Sequence, residues 1–256
     1  MNIKFVLTKS LMLESFKSRT RTIPFFRKFK TLIMNFQNIN FFQPASILRH
    51  LNSSDITTII DVGANVGQFG IDMRSSGFAG KIFSFEPVTE IYDVLQKRSW
   101  NDPNWSVHKI GLGADEGVSN INVSMNAGLS SSILKMNDTH KAYFPNSITS
   151  HTEQIQLSTL DIQISSLKIN PFNCLLKIDV QGFEYEVLMG ALSNLPKIPM
   201  VLLEISITPF YMGEKDLVTL LEVLRNVNHN VIDIYRGIQS REGNLLQIDV
   251  LTALRK

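Results

Sequence analysis

A single cysteine, Cys174, stands in the 256 residues. A disulfide framework within one chain is therefore excluded. Cys174 lies in an apolar run, the ordinary place for a buried structural thiol. Five histidines are present and none clusters with the cysteine, so a zinc site is not expected. No apolar run approaches the ~20 residues that a membrane-spanning helix needs. Nor does the first stretch carry a signal-peptide core with a small-residue cleavage site. Strong overall charge is missing too, since the formal net is +2.

That small net hides an uneven distribution. Residues 1–50 hold nine Lys or Arg against one acid, Glu14, for +8, which leaves −6 on the remainder. The basic head also carries Phe5, Phe16, Phe25, Phe26, Phe29, Phe36, Phe41 and Phe42. Three readings of residues 1–42 stay open: a helical extension packed on the domain, a membrane-surface segment, or a contact with a second copy or nucleic acid. Hydrophobic residues make up 44% of the chain, enough for one sizeable α/β domain or two small ones. The expected division is a basic, aromatic extension over 1–50 and a catalytic domain over 51–256, with an insertion at about 117–157.

Residues 57–69 read TTIIDVGANVGQF. Thr57 to Ile60 is β-branched and apolar, as a buried parallel strand should be. Asp61, Gly63, Asn65 and Gly67 then make a turn, and Val66, Phe69, Gly70 and Met73 recur at helical spacing. Strand, glycine turn and helix start together make a site for negative charge. The spacing is not the G-x-G-x-x-G of a dinucleotide site. Asp61 would also repel a pyrophosphate, whereas it suits a ligand bearing an amino group. Lys81 to Phe85 reads as the next strand, closed by Glu86-Pro87. A carboxylate there can accept from both hydroxyls of a ribose. D-x-G-x-N-x-G resembles the first motif of class I S-adenosylmethionine-dependent methyltransferases, in which the turn wraps the methionine part of the cofactor.

Val88 to Trp100 is expected to be helical, and Trp105 to Ile110 to be a third strand. If the resemblance holds, the end of that strand lies against the adenine, with Leu112 an apolar contact and Asp115 an acceptor for the exocyclic amine. Asp115-Glu116-Gly117 reads equally well as a plain turn. Ser119 to Met125 and Thr152 to Leu157 alternate polar and apolar residues, which predicts a β insertion serving as lid or acceptor platform. Between them Asn137 to Ser150 reads as a loop, with His140 and His151 as solvated residues.

Phe172 to Val187 carries a second block, FNCLLKIDVQGFEYEV. Cys174 to Ile178 is a strand, Asp179 ends it, Gly182 turns, and a helix runs from Glu184. Ligands of open α/β sheets bind at the carboxyl ends of strands. If this strand lies beside the first, Asp179 is next to the Asp61 turn and can take a proton from an acceptor hydroxyl. Lys177 shares its face. Pro199 to Leu203 is the fifth strand, ended by Glu204. Asp179, Glu184 and Glu204 could converge to bind Mg²⁺ or sugar hydroxyls, unless Glu184 caps its own helix. Lys215 to Asn226 is an amphipathic helix. Asn230 to Tyr235 and Gln247 to Leu254 are the last strands, the latter antiparallel beside the fifth.

LKIDVQGFE at 176–184 is similar to the signature of FkbM-type methyltransferases. So are IIDVGANVGQF at 59–69, FEP at 85–87, SSS at 130–132, STLD at 158–161 and LLEIS at 202–206. The likeness runs from Ile59 to Ala253, with Gln181 where many members carry Glu. It implies a Rossmann-like class I fold: a seven-stranded, mostly parallel sheet with helices on both faces and a small β insertion. It implies S-adenosylmethionine as cofactor and O-methylation of a sugar, glycan or natural product. The expected location is cytoplasmic, with peripheral membrane contact through residues 1–42 and homo-oligomerisation as open additions, and without nucleic acid. Two rivals remain: an NAD-dependent oxidoreductase on a similar sheet, and a non-catalytic cofactor-binding module.

Overall fold

The computed structural model describes residues 44–126 and 128–255. The expectations placed on residues 1–42 lie outside the described residues. Helix α1 (Pro44–Ser53) opens the described part, with Ile47 and Leu51 fully buried. It is a layer of the domain's core, although the division expected at residue 50 would cut it.

Seven strands form the main sheet in the order β3-β2-β1-β7-β8-β10-β9. They are β1 (Thr58–Val62), β2 (Lys81–Phe85), β3 (Trp105–His108), β7 (Cys174–Ile178), β8 (Met200–Ser206), β9 (His229–Arg236) and β10 (Gln247–Leu254). All pairings are parallel except those of β10, which runs antiparallel to β8 and β9. The order reverses between β1 and β7, the place where an open α/β sheet leaves a crevice at its carboxyl edge. The fold is a Rossmann-like sheet of seven strands, mostly parallel, with helices on both faces, as the motifs imply.

The period of two along each strand sorts the core into two layers. Ile60, Val62, Leu176, Ile178, Val201 and Leu203 face one side. There they pack with α5 (Leu160–Ser166), α6 (Glu184–Met189) and α7 (Leu217–Asn226). Ile59, Leu175, Leu202 and Leu251 face the other side. That side is covered by α1, α2 (Gln68–Ser76) and α3 (Thr89–Ser99).

A second sheet of three strands, β4 (Gly111–Leu112), β5 (Gly117–Ser124) and β6 (Thr149–Ser158), forms the insertion. The two alternating stretches are its antiparallel pair. It also takes in Gly111 and Leu112, so the third core strand ends at His108 rather than Ile110. The stretch expected to be a plain loop contains a short helix, α4 (Asp138–Tyr143), capped by the Asn137 side chain on the amide of His140. His140 is buried, packed at ring-centroid distances of 5.1 to 5.7 Å from Phe144, Tyr211 and Phe210. Burial pushes its imidazole down to about 4. It is an aromatic-core residue, against the solvated role expected of it; His151 is exposed as expected.

Candidate active site

Two turns at the carboxyl edge build the site. After β1 the chain passes through Gly63 and Gly67, both with positive φ, and Asn65 with φ +48. A Cβ on Gly63 would come within 1.8 Å of the Asp179 carbonyl oxygen. Only glycine lets the β1 turn press this closely on the end of β7. The amides of Gly63 and Ala64 both donate to the Phe85 carbonyl at 3.1 Å, tying the turn to the end of β2.

Glu86 completes that tie. Its Oε2 accepts from the Asn65 amide and its Oε1 from the Val88 amide, both at 3.0 Å. Each oxygen keeps a further lone pair for a ligand hydroxyl. Burial pushes the carboxyl up to about 7, against those two amide bonds and the nearby Lys177.

Asp61 is fully buried, between Ser84 on β2 and Lys177 on β7. Ser84 donates to Asp61 Oδ2 at 3.2 Å, and the Trp105 indole donates to Ser84 Oγ at 3.0 Å. Lys177 Nζ stands 3.2 Å from Asp61 Oδ1, close enough to pair but not aligned as a hydrogen bond. Asp61 Oδ1 therefore has no aligned donor among the described residues.

The strand period explains why so many charges meet. Asp61, Lys177, Asp179, Glu204 and Asp249 lie on the α2 side of the sheet, where Ile59, Leu175, Leu202 and Leu251 are apolar. Lys177 Nζ reaches Asp179 Oδ2 at 3.3 Å and donates to the Gly63 carbonyl at 3.2 Å. Burial would raise the Asp179 carboxyl, but the Lys177 ammonium, with hydrogen bonds from Gln181 and Glu204, holds it below its usual range. Glu204 is pushed well above its range by burial and by the charges of Asp179 and Asp249. Lys177 keeps its proton: burial works against it, and Asp179 and Asp61 outweigh burial. The arrangement is a carboxyl whose proton affinity is lowered, a second carboxyl beside it whose proton affinity is raised, and a fixed cation.

Asp179 and Glu204 meet as expected, bridged by the Gln181 amide at 2.9 and 2.7 Å. Glu204 does not end its strand, since β8 continues to Ser206. Glu184 does not join them. Its Oε1 accepts from the amides of Val180 and Gly182 at 3.0 and 3.1 Å, stapling its own turn. Among the described residues no group of three His, Cys, Asp or Glu side chains is arranged to hold a metal ion. The Mg²⁺ expectation thus loses its third carboxylate. Leu112 is buried in the same core layer as Phe85 and Val187, and Asp115 is exposed on the turn before β5.

Asp249, Gln247 and Tyr211 complete the cluster and were not picked out from the sequence, and Ser130, of the SSS motif, joins it through its carbonyl. Asp249 is raised to about 7 by burial and by Asp179. It lies opposite Glu204 through the antiparallel β8–β10 register. Gln247 donates to Glu204 Oε2 at 3.3 Å. No local motif marks either residue; only the return of β10 into the sheet brings them here. A separate hollow of about 380 Å³, lined by Thr57, Gly80, Lys81 and Asn173, opens at the amino ends of the strands, away from all of these groups.

Residues 61–231 match the family described as Methyltransferase FkbM domain. No curated protein matches the chain. Among solved structures, a TehB-like SAM-dependent methyltransferase from Corynebacterium glutamicum ATCC 13032 Kitasato aligns at 12% identity and TM-score 0.43, over 90% of this chain and 96% of that one. Magnesium protoporphyrin IX methyltransferase (ChlM) from Synechocystis PCC 6803, with bound SAM, aligns at 8% identity and TM-score 0.47, over 83% and 78%. Precorrin-6y C5,15-methyltransferase from Geobacter metallireducens GS-15 aligns at 12% and 0.45, over 83% and 87%.

Proposed function

This chain belongs to the FkbM methyltransferase family, and on that premise we propose that it forms a methyl ether on a hydroxyl of a sugar, glycan or natural product. Its chemistry is S-adenosylmethionine-dependent methyl transfer. When bound, the cofactor supplies an electrophilic methyl group on a sulfonium centre. The acceptors available in the chain suit it. Asp61 is a buried carboxylate beside the β1 turn, paired with Lys177 Nζ at 3.2 Å, and its negative charge suits a ligand ammonium rather than a phosphate. Glu86 offers free lone pairs for a hydroxyl pair. The Asp61 charge beside the turn disfavours a pyrophosphate, which weighs against the dinucleotide alternative.

The observation that carries the oxygen acceptor is Asp179, a carboxylate kept ionised by Lys177 and set against the Gly63 turn. A free alcohol is a poor acid. Its proton becomes strongly acidic only as the new carbon–oxygen bond forms. A carboxylate held in line can accept it at that moment, and such general-base help is worth about 10²–10⁴-fold. Alignment of the acceptor is the larger contribution, with effective molarities of 10⁵ M or more in order of magnitude.

The test supplies S-adenosylmethionine with an isotope-labelled methyl group to the enzyme together with pools of oligosaccharides and glycosides. The carbon chemical shift of the product tells which atom was methylated. Label on oxygen, lost in D179N while cofactor binding persists, supports the reading. Label on nitrogen or carbon, or undiminished transfer by D179N, sinks it.

A further inference from the structure

One amide bridges the Asp179–Glu204 pair, and one hydroxyl stands behind that amide. Gln181 Nε2 spends both N–H bonds on Asp179 Oδ1 and Glu204 Oε2. Its Oε1 therefore faces the other way, where Tyr211 Oη lies 3.1 Å off. The reversed amide would set an oxygen against an ionised carboxylate and lose a charge-assisted bond. Tyr211 is buried, and its hydroxyl is also 3.2 Å from the Ser130 carbonyl. A hydroxyl has one hydrogen. That hydrogen is offered to two acceptors on two segments: the turn after β7 and the insertion loop.

The loop has a second tie, from Ser132 Oγ to the Gln181 carbonyl at 2.6 Å. It also lies against the β1 turn, since a Cβ on Gly128 would meet Asn65 Nδ2 at 3.4 Å. Gln181 itself sits at φ +57. A non-glycine residue seldom adopts that conformation without support from its surroundings. The support comes from Tyr211, Ser132 and the two carboxyls.

We propose that Tyr211 is a positioning residue for methyl transfer: it fixes the Gln181 amide so that Asp179 is held ready to accept a proton, and it links that state to the insertion loop through Ser130. The proposal rests on the reading of Asp179 as proton acceptor. The groups that face Asp179 are Lys177 on its own strand, Asp61 on β1 behind the lysine, Glu204 on β8, Asp249 on β10 and Glu184 in the next turn. Without the bond from Gln181, more of the field on Asp179 is negative, and its proton affinity rises.

The experiment needs no acceptor. Side-chain carboxyl carbons are titrated by NMR in the full-length protein, as wild type, Y211F and Q181M. Because Asp179 and Glu204 titrate as a pair, the lower of their two midpoints is the readout. Y211F is expected to raise it by ~0.5 pH unit, about threefold in proton affinity, and Q181M by at least as much. A folded Y211F with an unmoved midpoint overturns the proposal, including the case where Q181M alone moves it. Should Y211F not fold, 3-fluorotyrosine at position 211, which keeps the ring and hydroxyl but alters its donor strength, takes its place, and an unmoved midpoint there also overturns the proposal. Whether Asp179 takes the proton is answered separately by D179N turnover, so failure of that reading leaves the midpoint result standing.

Discussion

Across the β1–β7 pair, the Lys177 ammonium stands 3.2 Å from Asp61 Oδ1, and the carboxylate it faces is completely buried. The same ammonium is 3.3 Å from Asp179. One cation therefore neutralises two carboxylates on neighbouring strands. The role of Lys177 is first to allow this density of negative charge inside the fold, and through that to keep Asp179 ionised.

K177M should accordingly be among the most damaging changes in the sheet. Removing one partner of a buried pair leaves an uncompensated charge and costs about 3–5 kcal/mol. The double variant D61N/K177M should recover part of that loss. Urea unfolding of the three proteins measures both effects. A K177M protein within ~1 kcal/mol of wild type would show that Asp61 and Asp179 do not depend on it.

Gly63 makes a sharper steric prediction. In G63A the new Cβ would overlap the Asp179 carbonyl, and φ +73 is unfavourable for alanine. The left-handed conformation costs roughly 1–2 kcal/mol and the overpacking about 1–3 kcal/mol more. Cofactor binding should be lost with it. Gly213 has φ +84 and open space around its Cβ position, so G213A should pay the conformational cost alone. Thermal melts of the two variants separate the terms, and equal losses would contradict the close approach.

Glu184 predicts a pH dependence. Burial raises its carboxyl to about 8, against the amide bonds it accepts. The folded state thus keeps a proton that the unfolded state releases near 4.5. Stability from this group is full below that pH and falls as pH rises toward about 8. Gln at 184 can still accept the two amide bonds and cannot ionise. E184Q should therefore gain on wild type with rising pH across this window, by about 1 kcal/mol or more. A constant difference in melting temperature across the same range would refute the raised carboxyl.

Glu86 sets the cofactor test. Calorimetric titration with S-adenosylmethionine should show E86A weaker than wild type by about 1–3 kcal/mol, the scale for losing a hydrogen bond to a charged group. The Asn65 and Val88 amides lose their acceptor as well, so urea unfolding of E86A must accompany the titration. Unchanged affinity in folded E86A would remove Glu86 from the site.

Much of this was readable without coordinates. The β-branched run before Asp61, the glycine turn, and the apolar run closed by Asp179 each state a strand followed by a turn. Those signals are local: a period of two, a positive-φ glycine, a helix start. The two alternating stretches of the insertion were readable for the same reason. His140 was not. Its neighbours Phe210 and Tyr211 are some seventy residues away in sequence, and nothing beside it says that they will enclose it.

The sequence by itself determined which charged residues stand at or near the carboxyl ends of the strands: Asp61, Glu86, Lys177, Asp179 and Glu204. It did so because a strand's length and alternation are written in its own residues. Only the tertiary structure decided which of these charges share a surface. Register between strands far apart in the chain put Asp249 opposite Glu204, and the segment after β8 brought the Tyr211 hydroxyl to Gln181. Each of these depends on burial and hydrogen bonding summed over the whole sheet, and no single segment carries that information.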